Sequence, residues 1–295
     1  MIWKRDWGLT GRVWLTMFLL FIVYLVFLYV LWALGIGTSF LILIAVGMAF
    51  IQYFFSDKLV LWTTGSRIVQ EDEFPELHQM IEKLCREADL PKPKVAIMQS
   101  PVPNAFATGR SPKHAVVACT DSIMRLLKKD ELEAVLAHEL SHVKNRDILT
   151  MTVASFIAMI ASIIMQNFLW GAMFGRRGNS EGAGAWIIAG LVAMVVYFVA
   201  NLLIMALSRY REFAADRGSG YITKNPRALI SALGKISGRM EAVPVEAKAK
   251  VQGANAFFII PALSGNAIME LFSTHPALEK RIANLEQVEA ELRGY

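Results

Sequence analysis

The chain has 295 residues, 55% of them hydrophobic and only 19% charged, against about 25% charged for an ordinary soluble domain. That balance excludes a plain soluble protein, and the net charge of +5 is met by basic flanks of membrane spans without any nucleic acid partner. The only two cysteines, Cys85 and Cys119, fall in a part expected to face a reducing cytoplasm, so no disulfide is expected.

Four apolar runs carry the excess: Val13–Leu34, Ile36–Phe55, Ile148–Trp170 and Trp186–Leu207. Each approaches the ~20 residues needed to cross a hydrocarbon core. One such run would pass as a buried core helix; four point to membrane spans. The first exceeds the ~7–15 residues of a signal-peptide core and is expected to stay as an anchor. Basic residues flank the runs: Lys4, Arg5 and Arg12 before the first, Lys58 and Arg67 after the second, Lys144 and Arg146 before the third, Arg209 and Arg211 after the fourth. The positive-inside rule puts all of these on the cytoplasmic face, with only Arg176 and Arg177 in the Gly-rich link voting against. The expected protein is thus multi-pass in the cell's inner (plasma) membrane, with both termini cytoplasmic. It divides into a hairpin at 1–55, a first soluble segment at 56–147, a second hairpin at 148–207 and a second soluble segment at 208–295. The two soluble segments lie on one side and fold together.

Within the first segment, "PELHQMIEKLCREADL" has helical apolar spacing at Leu77, Met80, Ile81 and Leu84, and "PKPKVAIM" reads as a strand. "NAFATG" and "HAVVACT" are two further strands joined by a turn at Gly109–Pro112. "DELEAVLAHELSHVKNRD" is one helix, with Asp130 and Glu133 spaced as a capping box. Further on, "EAVPVEAKAKVQGANAF" reads as a loop, and "HPALEKRIANLEQVEAELRGY" as a terminal amphipathic helix with Pro276 in its first turn. No repeat or low-complexity tract appears.

The chemistry centres on "AHELSH", Ala137 to His142. Residues i and i+4 share a helix face, so His138 and His142 offer two imidazoles to one Zn²⁺, with Glu139 placed to act on water. A short pattern of this kind also arises by chance, and a third ligand is needed, since catalytic zinc keeps three protein ligands and an open position. Distances along the helices supply a candidate. At about 1.5 Å per residue, His142 and His138 lie roughly 9 and 15 Å before the third span, while Glu212 and Asp216 lie roughly 8 and 14 Å past the fourth. Antiparallel helices leaving the same face therefore bring Glu212 level with His142 as third ligand. They bring Asp216 level with His138, as the carboxylate that accepts its free ring N–H. Asp147, on the same helix as His142, points away from the histidine face. His275, before a proline at a helix start, fits a cap or polar contact. His78 and His114 are expected on exposed faces, and Cys85 and Cys119 as core filler.

The motifs "NAFATG", "LAHELSHVKNRD", "REFAADRGS" and "STHP", set among four spans, resemble the HtpX family of membrane zinc endopeptidases, gluzincins related to the CaaX prenyl proteases. The resemblance covers nearly the whole chain. It implies an α+β membrane protein: four transmembrane helices in two hairpins carrying a mainly helical, zincin-like cytoplasmic domain with a small β-sheet. It implies one Zn²⁺ per chain held by His138, His142 and Glu212, and Glu139 as the catalytic glutamate. It further implies damaged or misassembled membrane proteins as substrates, and a tendency to cut itself. Chemically, zinc acidifies water, Glu139 takes the proton and later passes it to the departing amine. Asn104, Ala105, Phe106 and Ala107 offer a strand edge for an extended substrate, and His275 and Arg217 are candidate oxyanion donors. Two other classes fit less well. A protease for lipidated, prenyl-type substrates would need a chamber that four spans leave little room for. A non-catalytic zinc scaffold would have no use for Glu139.

Overall fold

The computed structural model describes residues 6–35, 39–173, 183–242 and 275–294. The Gly-rich link with Arg176 and Arg177, Ser273–Thr274 of "STHP", and all but Glu241 and Ala242 of the expected loop lie outside these residues. In chain order the elements are α1 (Trp7–Ala33), α2 (Ser39–Thr64), β1 (Arg67–Ile68), α3 (Pro75–Ala88), β2 (Lys94–Met98), β3 (Ala105–Thr108), β4 (Val116–Thr120) and α4 (Asp121–Leu126). They continue with α5 (Lys129–Lys144), α6 (Asp147–Met173), α7 (Ala183–Thr223), α8 (Pro226–Ala242) and α9 (Leu278–Arg293). The chain divides into two units, one made of Asp6–Tyr53 and Thr150–Leu207, the other of Phe54–Leu149 and Ser208–Tyr295.

In the first unit, Phe27 and Leu31 of α1 pack with Ile160, Ala161 and Ile164 of α6 and with Ala189, Ala193 and Val196 of α7. The alanines let the backbones come close, the usual device where lipid gives no hydrophobic drive between helices. The Tyr24 hydroxyl donates to the Ala154 carbonyl. Among the described residues three helices are long and apolar enough to cross a membrane: Trp7–Ala33, Asp147–Asn167 and Ile187–Thr223. In α2 the described apolar stretch is Val46–Phe55.

In the second unit a four-stranded sheet runs in the order β1-β2-β4-β3, with β2 and β4 parallel and both outer pairs antiparallel. α2 does not stop where the second apolar run ends, at Phe55. It continues to Thr64, and its Val60 and Leu61 pack on the sheet face made by Ala96, Phe106, Val116 and Ala118. The main core combines Leu77, Ile81 and Leu84 of α3, Val95 and Val117 of the sheet, and Val135, Leu136 and Leu140 of α5. Leu229 and Leu233 of α8 and Leu285 of α9 complete it. Gly109, in the turn between β3 and β4, has φ +117°, and a Cβ there would stand 2.1 Å from the His114 carbonyl oxygen, so only glycine fits.

Several local expectations need correction. α5 begins at Lys129, and its first turn is closed by Glu131, which accepts the Lys128 N–H at 2.8 Å, rather than by Asp130 and Glu133. The helix also ends at Lys144 instead of running to Asp147. Pro276 precedes the N-cap Ala277 of α9 rather than lying in its first turn. His78 is buried, with Nε2 3.2 Å from the Val69 carbonyl oxygen, because the start of α3 packs beneath that segment; His114 is exposed. Cys85 and Cys119 are buried and unbridged, and burial pushes their thiols up to about 11 and about 12, so both are unreactive filler.

Candidate metal centre

α5 is buried on nearly every side, from Glu131 to Ser141 with few breaks. Its interior position carries His138 and Glu139, 1% and 5% exposed, into the middle of the unit. His138 and His142, one turn apart, face each other with Nε2 atoms 3.2 Å apart. α7 runs on past its apolar part through Arg211, Glu212 and Asp216. Glu212 Oε1 lies 3.4 Å from His142 Nε2, and its Oε2 3.6 Å from His138 Nε2. Asp216 Oδ1 lies 3.0 Å from His138 Nδ1.

These donors fit a tetrahedral zinc ion. Two atoms each ~2.0–2.2 Å from such an ion stand roughly 3.3–3.6 Å apart; the two Nε2 atoms are 3.2 Å apart and Glu212 sets one oxygen near each, and one donor atom from each of the three side chains lies within 4.8 Å of the others. Glu212 Oε2 is buried beside His275 Nδ1 at 3.2 Å, Arg281 Nη1 at 3.5 Å and His138 Nε2 at 3.6 Å, and makes no well-aligned hydrogen bond among the described residues. Charge agrees as well. Among the described residues, four carboxylates (Glu139, Asp147, Glu212, Asp216) meet two guanidiniums (Arg211, Arg281) in contact with them. With both imidazoles neutral, two negative charges remain, the complement of one dication. Burial acts to lower the His142 pKa, yet Asp147 and Glu212 outweigh it and push it up to about 10. For His138, burial likewise opposes and Asp216 and Glu212 prevail, so the shift is upward. The potential that holds those protons is the one that would attract a metal in their place. Glu139 is raised above the usual carboxylate range by burial, the two histidines pulling the other way, and its Oε2 accepts the Ala107 N–H at 2.9 Å.

The remaining candidates divide. Asn104 to Ala107 lie on and just before β3, which among the described residues pairs with β4 alone and is the sheet edge next to α5. His275 is buried here, with Nδ1 3.2 Å from Glu212 Oε2. Arg217 turns its guanidinium onto Glu291, at 2.8 and 3.2 Å, instead of joining the histidines. The cation that does join them is Arg281 of α9, which sequence reasoning passed over. Its Nε and Nη2 donate to Asp216 at 2.9 and 2.6 Å, and its Nη1 lies 3.5 Å from Glu212 Oε2. One sign was available: Arg281 falls on the stripe of α9 that carries Leu278, Leu285 and Val288, a charge on an otherwise apolar face. Asp147 does not point away from His142, although it is not among the grouped metal donors. It sits with Oδ2 2.6 Å from His142 Nδ1, on the far side of the ring from Nε2.

The profile of peptidase family M48 matches residues 71–289, which contain His138, Glu139, His142, Asp147, Glu212, Asp216, His275 and Arg281. The chain belongs to the HtpX family of M48 peptidases. It is 56% identical over 290 residues to Protease HtpX homolog 2 of Methanosarcina acetivorans, covering 98% of both chains. It is 53% identical over 288 residues to a Protease HtpX homolog of Moorella thermoacetica, covering 97% of this chain and 96% of that one. A crystal structure of Ste24p from S. mikatae matches with a TM-score of 0.55 at 18% identity, covering 94% of this chain and 67% of that one, and shows a shared fold. Family membership, together with the long apolar helices, makes this HtpX-family chain a membrane metalloprotease.

Proposed function

We propose that this protein is a zinc-dependent endopeptidase that hydrolyses peptide bonds in damaged or misfolded membrane proteins. His138, His142 and Glu212 would hold one zinc ion per chain, and Glu139 would act as general base. The reading rests on one observation above all: two imidazole Nε2 atoms and a carboxylate converge at 3.2–3.6 Å beside a fourth group, Glu139, that is tied to a strand edge. Zinc held there supplies Lewis acidity, polarising a peptide carbonyl and making water acidic. Glu139, its basicity raised by burial, takes the proton from the attacking water and delivers it to the departing amine. The Ala107 N–H on its Oε2 holds the carboxylate still while it does so. Asp216 and Asp147 occupy the Nδ1 atoms of His138 and His142, which leaves each Nε2 lone pair for the metal. The outer edge of β3 over Asn104–Ala107 would pair with an extended substrate, and His275 would donate to the developing oxyanion. From the positive flanks of the apolar runs, we place this face on the cytoplasmic side of the inner membrane, with four spans and both termini inside.

Purified full-length protein should cleave a denatured membrane protein, lose that activity with a chelator and regain it with zinc. Glu139→Gln should abolish cleavage, including self-cleavage, yet keep about one zinc per chain because the three ligands remain. A glutamine variant that still cuts removes the peptidase reading.

A further inference from the structure

Behind the two imidazoles stand two similar chains of groups. His138 Nδ1 meets Asp216 and Asp216 meets Arg281, with side chains only 1%, 0% and 2% exposed. His142 Nδ1 meets Asp147 Oδ2 at 2.6 Å, and Asp147 Oδ1 lies 3.0 Å from Arg211 Nε, out of line for a straight hydrogen bond. The second chain is looser, with side-chain exposures of 16%, 6% and 14%.

A turn, rather than a helix, puts Asp147 there. On an unbroken helix a residue five positions on lies well round from His142. α5 instead ends at Lys144, Arg146 takes the left-handed φ of +54°, and Asp147 starts α6 with its carboxylate turned back to the histidine. A left-handed residue just past a helix end is a common way of turning the chain, and here it follows the C-cap Asn145 and brings Asp147 round.

We propose that Asp147, held by Arg211, is a positioning residue for His142 that governs zinc retention. It fixes the tautomer and ring direction that aim Nε2 at the metal, and the His142 arm is the one that opens when zinc enters or leaves. The relative exposures support this second part: His142 is the least sealed of the three proposed ligands, its side chain 16% exposed against 1% for His138 and 8% for Glu212. This inference rests on the zinc site proposed above.

The test uses the full chain in detergent. Zinc affinity is read by competition with a chromophoric chelator, zinc loss by its rate into excess chelator, and ligand geometry by the visible spectrum of the cobalt(II)-substituted protein. Thermal stability is measured separately on metal-free protein. Asp147→Asn should weaken zinc binding by about 10–100-fold, mostly through faster loss, and shift the cobalt spectrum. Arg211→Gln should move the same readouts in the same direction by a smaller factor, and Arg211→Lys should restore most of the retention. If Asp147→Asn does not fold, Arg211→Gln and Arg211→Lys carry the test. Zinc affinity and loss within about twofold of the parent would overturn the proposal, since losing such a partner ordinarily costs tenfold or more. So would a lower metal-free stability with an unchanged cobalt spectrum, which marks a purely structural tie. A parent protein that binds no zinc, or a Glu212→Ala variant that keeps it, signals instead that the metal-site reading has failed.

Discussion

Replacing Arg281 by methionine would remove the guanidinium that neutralises Asp216 while keeping much of the apolar stem. Arg281 donates twice to Asp216, at 2.9 and 2.6 Å, and the two residues are 2% and 0% exposed. Removing one partner from such a pair costs about 3–5 kcal/mol, because the charge left behind has neither its counter-ion nor water. A unit of this size loses ~2–4 °C per kcal/mol, so the apparent Tm should fall by roughly 6–20 °C. His138 Nδ1, 3.0 Å from Asp216, retains part of the compensation, which favours the lower half of that range. The measurement is a thermal melt of chelator-treated full-length protein, so that zinc binding contributes nothing. Asp216→Asn added to Arg281→Met removes both charges and still leaves an amide oxygen for the His138 N–H. The double variant should recover at least about half of the loss, since replacing both members of a buried pair is often near neutral. A single-variant fall under about 2 °C, or a double variant showing the sum of the two single losses, would refute a coupled buried pair.

Glu212→Ala should lose zinc outright, whereas Asp216→Ala should weaken zinc binding by about 10–100-fold; metal content untouched by Glu212→Ala would mean that another residue is the third ligand. Ala107→Pro removes the N–H that Glu139 accepts and should lower kcat/KM by about fivefold or more with zinc and Tm kept. Phe106→Pro, paired with Ala118 in the sheet interior, should instead lower the Tm, because successive N–H groups alternate sides along a strand. An Ala107→Pro variant that is folded, zinc-loaded and fully active would show that this hold on Glu139 is not needed for catalysis. A cysteine at Gly178 in a Cys85→Ala/Cys119→Ala chain should react with a membrane-impermeant thiol reagent on intact cells, and one at Lys144 should not; the reverse pattern would put the metal site outside.

The local elements were legible because their causes are local. Apolar runs announce long helices, the i, i+4 spacing puts His138 and His142 on one face whatever surrounds them, and Leu77, Met80, Ile81 and Leu84 mark the buried stripe of α3. Counting rise per residue also set Glu212 beside His142 and Asp216 beside His138, although it assumed a helix unbroken to the third apolar run, and α5 in fact ends at Lys144. Tertiary structure alone decided the rest. Whether Asp147 faces His142 depends on a left-handed Arg146 just past the end of α5, a way of ending a helix that favours glycine or asparagine and that nothing in the residue type of arginine announces. Arg281 reaches Asp216 from a helix 65 residues further along, so its role depends on how α9 docks, as does the choice of Glu291 as partner for Arg217. Spacing within a helix follows from hydrogen-bond geometry that all helices share. Contact between distant segments follows from which faces close on one another, and that is written only in the packed whole.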